Sequence, residues 1–448
     1  MDVFMAGFSR SDVTPMSGIP MRGYCQERFA DGVLDPLELN AAAFRCGAST
    51  VVMMSIDCCG FATKTMDWFR EAVSEKCWIP VQAVSISCTH THTGPFIEKD
   101  AENPLVAEYT RWLRLRVQDA AYYAILDLSE ARMGFGTGTA PHVAFIRRYL
   151  MKNGEIRTNP GVNNPDIVRP CGEVDEQCHV LRFDRPGKDS IVLVNFGNHP
   201  DTVGGCAISA DWPGFLRRRV ERALEGVKCM FLNGAQGDVN HVNVHPTGGD
   251  LNDMFLDFDD VSRGYGHTRH IGNVVAGAVL QVFDKVEYRD VDSIRFQERI
   301  IRVPANVPAQ EDMPNARRIH ALRVAGREAE LPYSGMMLTT VLAEADRMVL
   351  LEHGPESFEM KLTAISIGDV AFLGIPGEPF TGIGRGLKAN TSWRAVLPCC
   401  LTNGGEGYFP MMDAYAEGGY EARSSRFKAG VAEYLIEEGN KLLDELAQ

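Results

Sequence analysis

Two histidines one residue apart, His90 and His92, sit in the run Thr89-His90-Thr91-His92-Thr93, just before Gly94-Pro95. Neutral imidazole is a common ligand for zinc and other divalent metals. In a strand, alternate side chains share a face, so the two rings point the same way. That suits either two metal ligands or one ligand beside a substrate-binding donor; two hydrogen-bonded rings with no metal role are the plain alternative. A third histidine, His199, occupies a similar place in Asn198-His199-Pro200-Asp201, after an apolar run. Asp201 could orient one of the rings by accepting from its second nitrogen. Glu378 lies between Gly377 and Pro379, where a strand ends and a carboxylate can face a cleft. Farther on, Gly404-Gly405-Glu406-Gly407-Tyr408 precedes Tyr415 and Tyr420. Tyrosines in such a loop usually pack as amphipathic anchors, and the residues alone do not suggest a phenolate ligand.

The elements that must hold these residues alternate along the chain. The run AAAFRCG and the run TVVMMSIDCCG read as two strands turning at Gly47-Ala48, and TKTMDWFREAVSEKC as a helix. A buried strand follows, ending at His90, and then a long helix over 105–128. A strand ending at His199, a helix from Asp211, a strand into a glycine-rich loop and a helix over His270–Phe283 repeat the plan. Gly368-Asp369 marks a hairpin turn, and residues 425–446 read as a closing amphipathic helix. Strand–loop–helix alternation with polar residues at strand ends predicts an α/β fold. The polar, helical stretch 308–350 is the weakest join, an insertion or a cap.

Composition narrows the function. With 448 residues, 45% of them hydrophobic, the chain can bury a large core in one domain or two intimately packed ones. A net charge of -14 argues against a broad nucleic-acid or anionic-membrane surface. The triplet Arg217-Arg218-Arg219 and the pair Arg317-Arg318 read as exposed helix faces. Arg147-Arg148 could form a local basic pocket. No apolar run reaches the roughly 20 residues of a membrane span, so no stable membrane anchor is expected. The twelve cysteines show no CxxC spacing and the N-terminus has no export signal, so reduced thiols in the cytoplasm are expected.

Read in order, MRGY (21–24), THTHTGP (89–95), NHP (198–200), SADWPG (209–214), GDV (237–239), PGEPF (376–380) and GY (407–408) followed by Tyr420 form a specific set. The set resembles the neutral/alkaline ceramidase family, in its N-terminal catalytic domain. The resemblance implies one large domain over 1–448, with mixed sheets and flanking helices, and without the family's C-terminal immunoglobulin-like domain. It implies a single zinc ion held by His90, His199, Glu378 and Tyr408, the last twelve residues before Tyr420 as in the family. It places His92 at the amide and oxyanion, and makes Gly23, Arg147 and Tyr420 substrate-binding. Ile146 stands where an Asn usually precedes that arginine. The family's proposed catalytic serine is replaced by Asn240, with His241 in the following proline's place.

An asparagine is no nucleophile. A catalytic zinc can still support hydrolysis by bringing the pKa of water to about 7. The expected activity is therefore zinc-dependent hydrolysis of an amide, such as an N-acyl bond, in a small polar substrate. Asp238 or His241 would relay a proton to the leaving group. Hydrolysis of a sugar-derived glycoside, lactone or ester at the same zinc is the alternative within enzymes. A non-catalytic zinc- or ligand-binding relative is the alternative outside them.

Overall fold

The computed structural model describes residues 2–448. Three mixed sheets follow one plan, in which antiparallel neighbours end in a single parallel pair. In the first, β1 (Phe4–Asp12), β2 (Glu38–Cys46) and β3 (Ser49–Ile56) are antiparallel neighbours. Helix α1 (Thr63–Cys77) then crosses over to β4 (Val84–Cys88), which pairs with β3 in parallel. Helix α2 (Pro104–Leu126) packs on the same sheet. In the second, β5 (Arg132–Thr139), β6 (Gln177–Asp184) and β7 (Ser190–Phe196) are antiparallel, and α3 (Asp211–Ala223) leads to β8 (Val227–Asn233), parallel to β7. Helix α4 (Tyr265–Val282) and an edge strand β9 (Glu287–Arg289) complete it. The third joins β10 (Ile294–Pro304), β11 (Ser357–Ile367) and β12 (Val370–Gly374) antiparallel; α7 (Thr381–Lys388) then precedes β13 (Ala395–Cys399), parallel to β12.

A parallel neighbour requires a long crossover, and a helix fills that role in each sheet. The helices cover the outer faces: Phe69 and Leu113 on the first sheet, Trp212 and Ile271 on the second. On the third, Leu387 packs with Leu435 and Leu442 of the last helix, α8 (Val431–Ala447). The inner faces meet in one shared core, where Phe44 and Met53, Phe183 and Leu193, and Ile365 and Phe372 lie together. Buried on both sides, β3, β7 and β8 each carry a continuous apolar stretch, at 51–54, 191–194 and 229–232, rather than an alternating pattern.

The α/β class and most elements follow the sequence reading, including the turn between β2 and β3, α1, α2 and the hairpin of β11 and β12. Two strand ends fall earlier than expected. The first ends at Cys88, and His90 itself takes a left-handed backbone with φ 79°, so strand alternation does not aim its ring. The second ends at Phe196, three residues short of His199. Arg217, expected on an exposed face, is buried and grips both carboxylate oxygens of Asp57 and one of Glu38. Residues 308–350 hold two helices, α5 (Met313–Val324) and α6 (Gly335–Leu351), inserted between β10 and β11. They share a small core of their own, with Ile319 against Leu342 and Met348. Among the described residues no helix is long and apolar enough to cross a membrane.

Candidate metal centre

The carboxyl ends of the three parallel pairs converge. His90 follows β4, His199 follows β7 and Glu378 follows β12. Tyr408 follows β13, in a two-residue strand whose parallel register sets it directly beside Glu378. Loops at strand carboxyl ends are where α/β folds place ligands, and here three sheets contribute to one such place.

Three buried donors form a nearly equilateral triangle. His90 Nε2 lies 3.2 Å from His199 Nε2 and 3.1 Å from Glu378 Oε2, and His199 Nε2 lies 3.2 Å from the same oxygen. Donors of a four-coordinate ion with bonds of about 2.0–2.1 Å are separated by about 3.3 Å, so one ion fits this face. The other ring nitrogens are committed. His90 Nδ1 donates to the Cys59 carbonyl at 2.6 Å, and His199 Nδ1 to the carbonyls of Gln236 at 2.9 Å and Val239 at 3.1 Å. This fixes both tautomers with the Nε2 lone pair facing the triangle, as ligating histidines require. Cys59, His90 and His92 are also close enough to hold a metal. Because the Cys59 carbonyl already occupies His90 Nδ1, the free nitrogen serves the His199–Glu378 set.

Charge is balanced within the triangle. Burial would push His90 down, but the Glu378 charge and Cys59 outweigh it and raise its pKa well above the usual imidazole value. Burial pushes Glu378 up, and the His90 charge beside it outweighs this and holds it well below the carboxylate range. Burial, helped by Arg147, lowers His199 to about 4. A cation at the centre would take the place of the proton on His90. Tyr408 is held well above the phenol range by burial, with Glu378 adding to it. The Arg147 guanidinium lies 5.3 Å from the Tyr408 ring centroid and opposes that shift.

His92 stands beside the triangle, its Nε2 3.3 Å from His90 Nε2. Its Nδ1 faces Asp201 Oδ1 at 3.4 Å. Asp201 also accepts from Tyr24 Oη and from Arg263, whose Nε and Nη2 lie 3.0 and 3.1 Å from its two oxygens. Asp259 takes the remaining Arg263 donors at 2.6 and 2.8 Å. Burial lowers His92 well below the usual value despite Asp201, so the ring is neutral. Gly23 packs against the base of this side chain: a Cβ there would lie 2.7 Å from His92 Cα, Cβ and Cγ.

The remaining sequence candidates divide. Arg147 is buried, donates to the Gly237 carbonyl at 2.7 Å, pairs with buried Glu421 and approaches His199. Tyr420 meets Tyr408 edge-on at 5.6 Å and lines the same cavity of about 420 Å³ as His90, His92 and Glu378. Asn240 is fully buried and spends its amide on Asn159 Oδ1 and the Val242 N–H, both at 3.0 Å. Asp238 points elsewhere, accepting from Thr381 N and Oγ1 at 2.7 and 2.9 Å at the start of α7. His241 donates from Nε2 to the Ser262 carbonyl at 2.8 Å and lines a separate small cavity with His267 and His270. Burial holds it to about 3. Neither Asp238 nor His241 lines the cavity at the triangle.

Sequence reading missed Arg263, Asp259, Tyr24 and Glu421 as parts of the site. An arginine in Ser262-Arg263-Gly264 carries no local signal; only the tertiary fold brings it to Asp201. The cavity mouth is also unexpectedly charged, with Arg22, Arg323, Arg347, Arg426, Asp346 and Glu406 on its walls.

No protein-family model matches the chain, and no curated protein matches it in sequence. Two solved structures are similar in fold over 100% of the chain. Neutral ceramidase from Pseudomonas aeruginosa superposes with a TM-score of 0.75 at 16% identity, 75% of its own length being covered. A ceramidase complexed with C2 gives 0.73 at 16% identity and the same 75% coverage. The α/β architecture of this chain is the neutral ceramidase fold.

Proposed function

We propose that this protein is a zinc-dependent hydrolase that cleaves an amide, of the N-acyl type, in a small polar molecule. The observation that carries the reading is the triangle of His90, His199 and Glu378, with both imidazole tautomers locked toward its centre. These three with Tyr408 would hold the ion. When bound, zinc lowers the pKa of water and polarises a carbonyl. The chain's own groups do the rest. His92, with Asp201 facing its Nδ1, would take up a proton at Nε2 and donate it toward the carbonyl oxygen as negative charge develops there, a contribution of about 3–4 kcal/mol where such donors have been removed. The loop carbonyls of Cys59 and Gln236 keep the histidines in register, and Arg147 braces Tyr408. The ceramidase names of the two structural neighbours support an amide as the bond.

The walls support a polar substrate. Arg22 and the Arg323–Asp346 and Arg426–Glu406 ion pairs lie on these walls, and an alkyl chain against them would remove water from charged groups without offering hydrogen bonds in return. The same walls favour the second reading, a sugar-derived ester, lactone or glycoside.

Metal analysis of the purified chain is expected to find one zinc. EDTA treatment should abolish turnover in a panel of short N-acyl amides, lactones and glycosides, and zinc should restore it. His90→Ala should lose both metal and activity, by more than the roughly 10- to 100-fold that follows from losing an outer-shell partner of a ligand. Turnover that survives EDTA and His90→Ala would sink the proposal, and zinc without turnover on any compound would favour a binding role.

A further inference from the structure

A second cavity of about 470 Å³ adjoins the metal cavity and shares Tyr420 with it. Helix α6 runs along both. Met336, Met337 and Thr340 line the second cavity, and Ala343, Arg347 and Leu350 line the metal cavity. These positions recur every three or four residues, so a single helix face borders one elongated cleft. From Met336 to Leu350 that face spans about 21 Å at about 1.5 Å per residue.

The second cavity has its own chemistry. Tyr333, 41% exposed, offers an aromatic surface at its rim. Asp260 supplies acceptors, Arg157 supplies donors and Ser334 supplies a hydroxyl, while Thr158 and Arg423 are engaged by Glu421 and Glu344 behind the wall. Asn159 lies at its inner wall, its side-chain oxygen already engaged by Asn240. This assigns the buried Asn240 a positioning part: it holds a wall of the second cavity. A wall mixing acceptors, donors and an aromatic face matches a ring that carries many hydroxyls and also has C–H faces. An alkyl chain would leave the same groups desolvated and unpaired, at a cost of about 1–3 kcal/mol each.

We infer that the cleft is a two-compartment substrate site in which α6 and Tyr333 hold a hydroxyl-rich ring, as in an amino sugar, while the attached amide reaches the metal triangle. This rests on the triangle being the reacting centre. It makes the inserted helices α5 and α6 the determinant of substrate class.

The test uses the full-length, zinc-loaded protein and calorimetric titration with N,N'-diacetylchitobiose, N-acetylglucosamine and an N-octanoyl amide of matching length. The disaccharide should bind at least tenfold more tightly than the octanoyl amide. Tyr333→Ala and Asp260→Asn should each lower the ratio of disaccharide to monosaccharide affinity at least tenfold. Ser334→Trp, which plugs the rim, should do the same. All three positions are exposed, so thermal melts should stay close to those of the unmodified protein and report correct folding. Absence of disaccharide binding, tighter binding of the octanoyl amide, or equal loss for both sugars in the variants would overturn the inference. Disaccharide binding with this dependence but no amide cleavage would support the compartment and overturn the hydrolase. Cleavage of short N-acyl amides by a protein indifferent to the disaccharide would do the reverse.

Discussion

At Gly23 the backbone takes φ +130°, a region that side chains rarely adopt, and a Cβ there would run into the base of the His92 side chain. The contact and the conformation act together: any larger residue is strained in itself and pushes the imidazole away from His90. Behind the ring, Asp201 is held by Arg263; burial alone would raise that carboxyl, but the Arg263 charge keeps it well below the usual range. The side chain is thus confined by packing at its base and by a buried carboxylate facing its Nδ1. Gly23→Ala is expected to lower kcat by about 10- to 100-fold, the scale of a displaced donor of about 1.4–2.7 kcal/mol. Zinc content should stay at the unmodified level, because the three triangle donors do not touch Gly23. Steady-state kinetics beside metal analysis checks this, and loss of zinc in the variant would show that Gly23 supports the ligands rather than His92.

At the scale of elements, close approach between helix and sheet recurs where glycine replaces a side chain. The strand β5, Arg132–Thr139, carries Gly134, Gly136 and Gly138 at alternate positions, all on the face toward α4 and the chain that follows it. A Cβ on Gly138 would lie 2.2 Å from the Ala278 carbonyl oxygen of α4. Neither backbone can yield without moving the helix off the second sheet, which holds His199 at the end of β7. Gly138→Ala is therefore expected to cost about 1–3 kcal/mol of stability by overpacking, measured by denaturant unfolding. A variant as stable as the parent would mean that α4 slides freely on the sheet. The inserted pair α5 and α6 behaves differently, since its own small core makes it less dependent on the sheets.

For the whole molecule, acid sensitivity follows from buried titratable groups away from the metal triangle. Burial holds His179 and His241 to about 3, against about 6.5 in an unfolded chain. Between those values the unfolded chain binds the protons and the folded one does not, so stability falls as pH drops below about 6.5. Each histidine contributes about 1.4 kcal/mol per pH unit in that window. Asp211 acts in the opposite sense. Burial raises it to about 7 despite hydrogen bonds from the Trp212, Val203 and Thr202 N–H groups. Its folded form keeps a proton that the unfolded chain releases above about 3.9, so its contribution is present in acid and lost as pH rises through about 7. His179→Gln should reduce the slope of stability against pH between about 4.5 and 6.5 by one proton. Asp211→Asn should increase it by one. Unfolding midpoints across that range measure both changes; slopes unchanged by either substitution would refute the burial argument.

Much of this architecture is legible in the sequence. Periodicity and turn residues locate the strands and helices, because local backbone preferences and the two faces of each element leave a direct trace in residue order. His90 and His199 stand out as histidines near the ends of apolar runs, whereas Glu378 and Tyr408 join them only through the ordered motifs of the family resemblance. Asn240 also stands out, and the fold shows what its side chain does: it holds Asn159 and a turn instead of facing the triangle. Other facts exist only in three dimensions. The approach of three separate parallel pairs, the arginine that clamps Asp201 from residue 263, the turning of Asp238 and His241 away from the triangle, and the run of α6 along two cavities all join residues far apart in the chain. Such contacts are set by packing of one sheet on another, for which short-range sequence carries no mark. The sequence by itself determined which side chains and elements were available; the tertiary structure alone decided which of them meet.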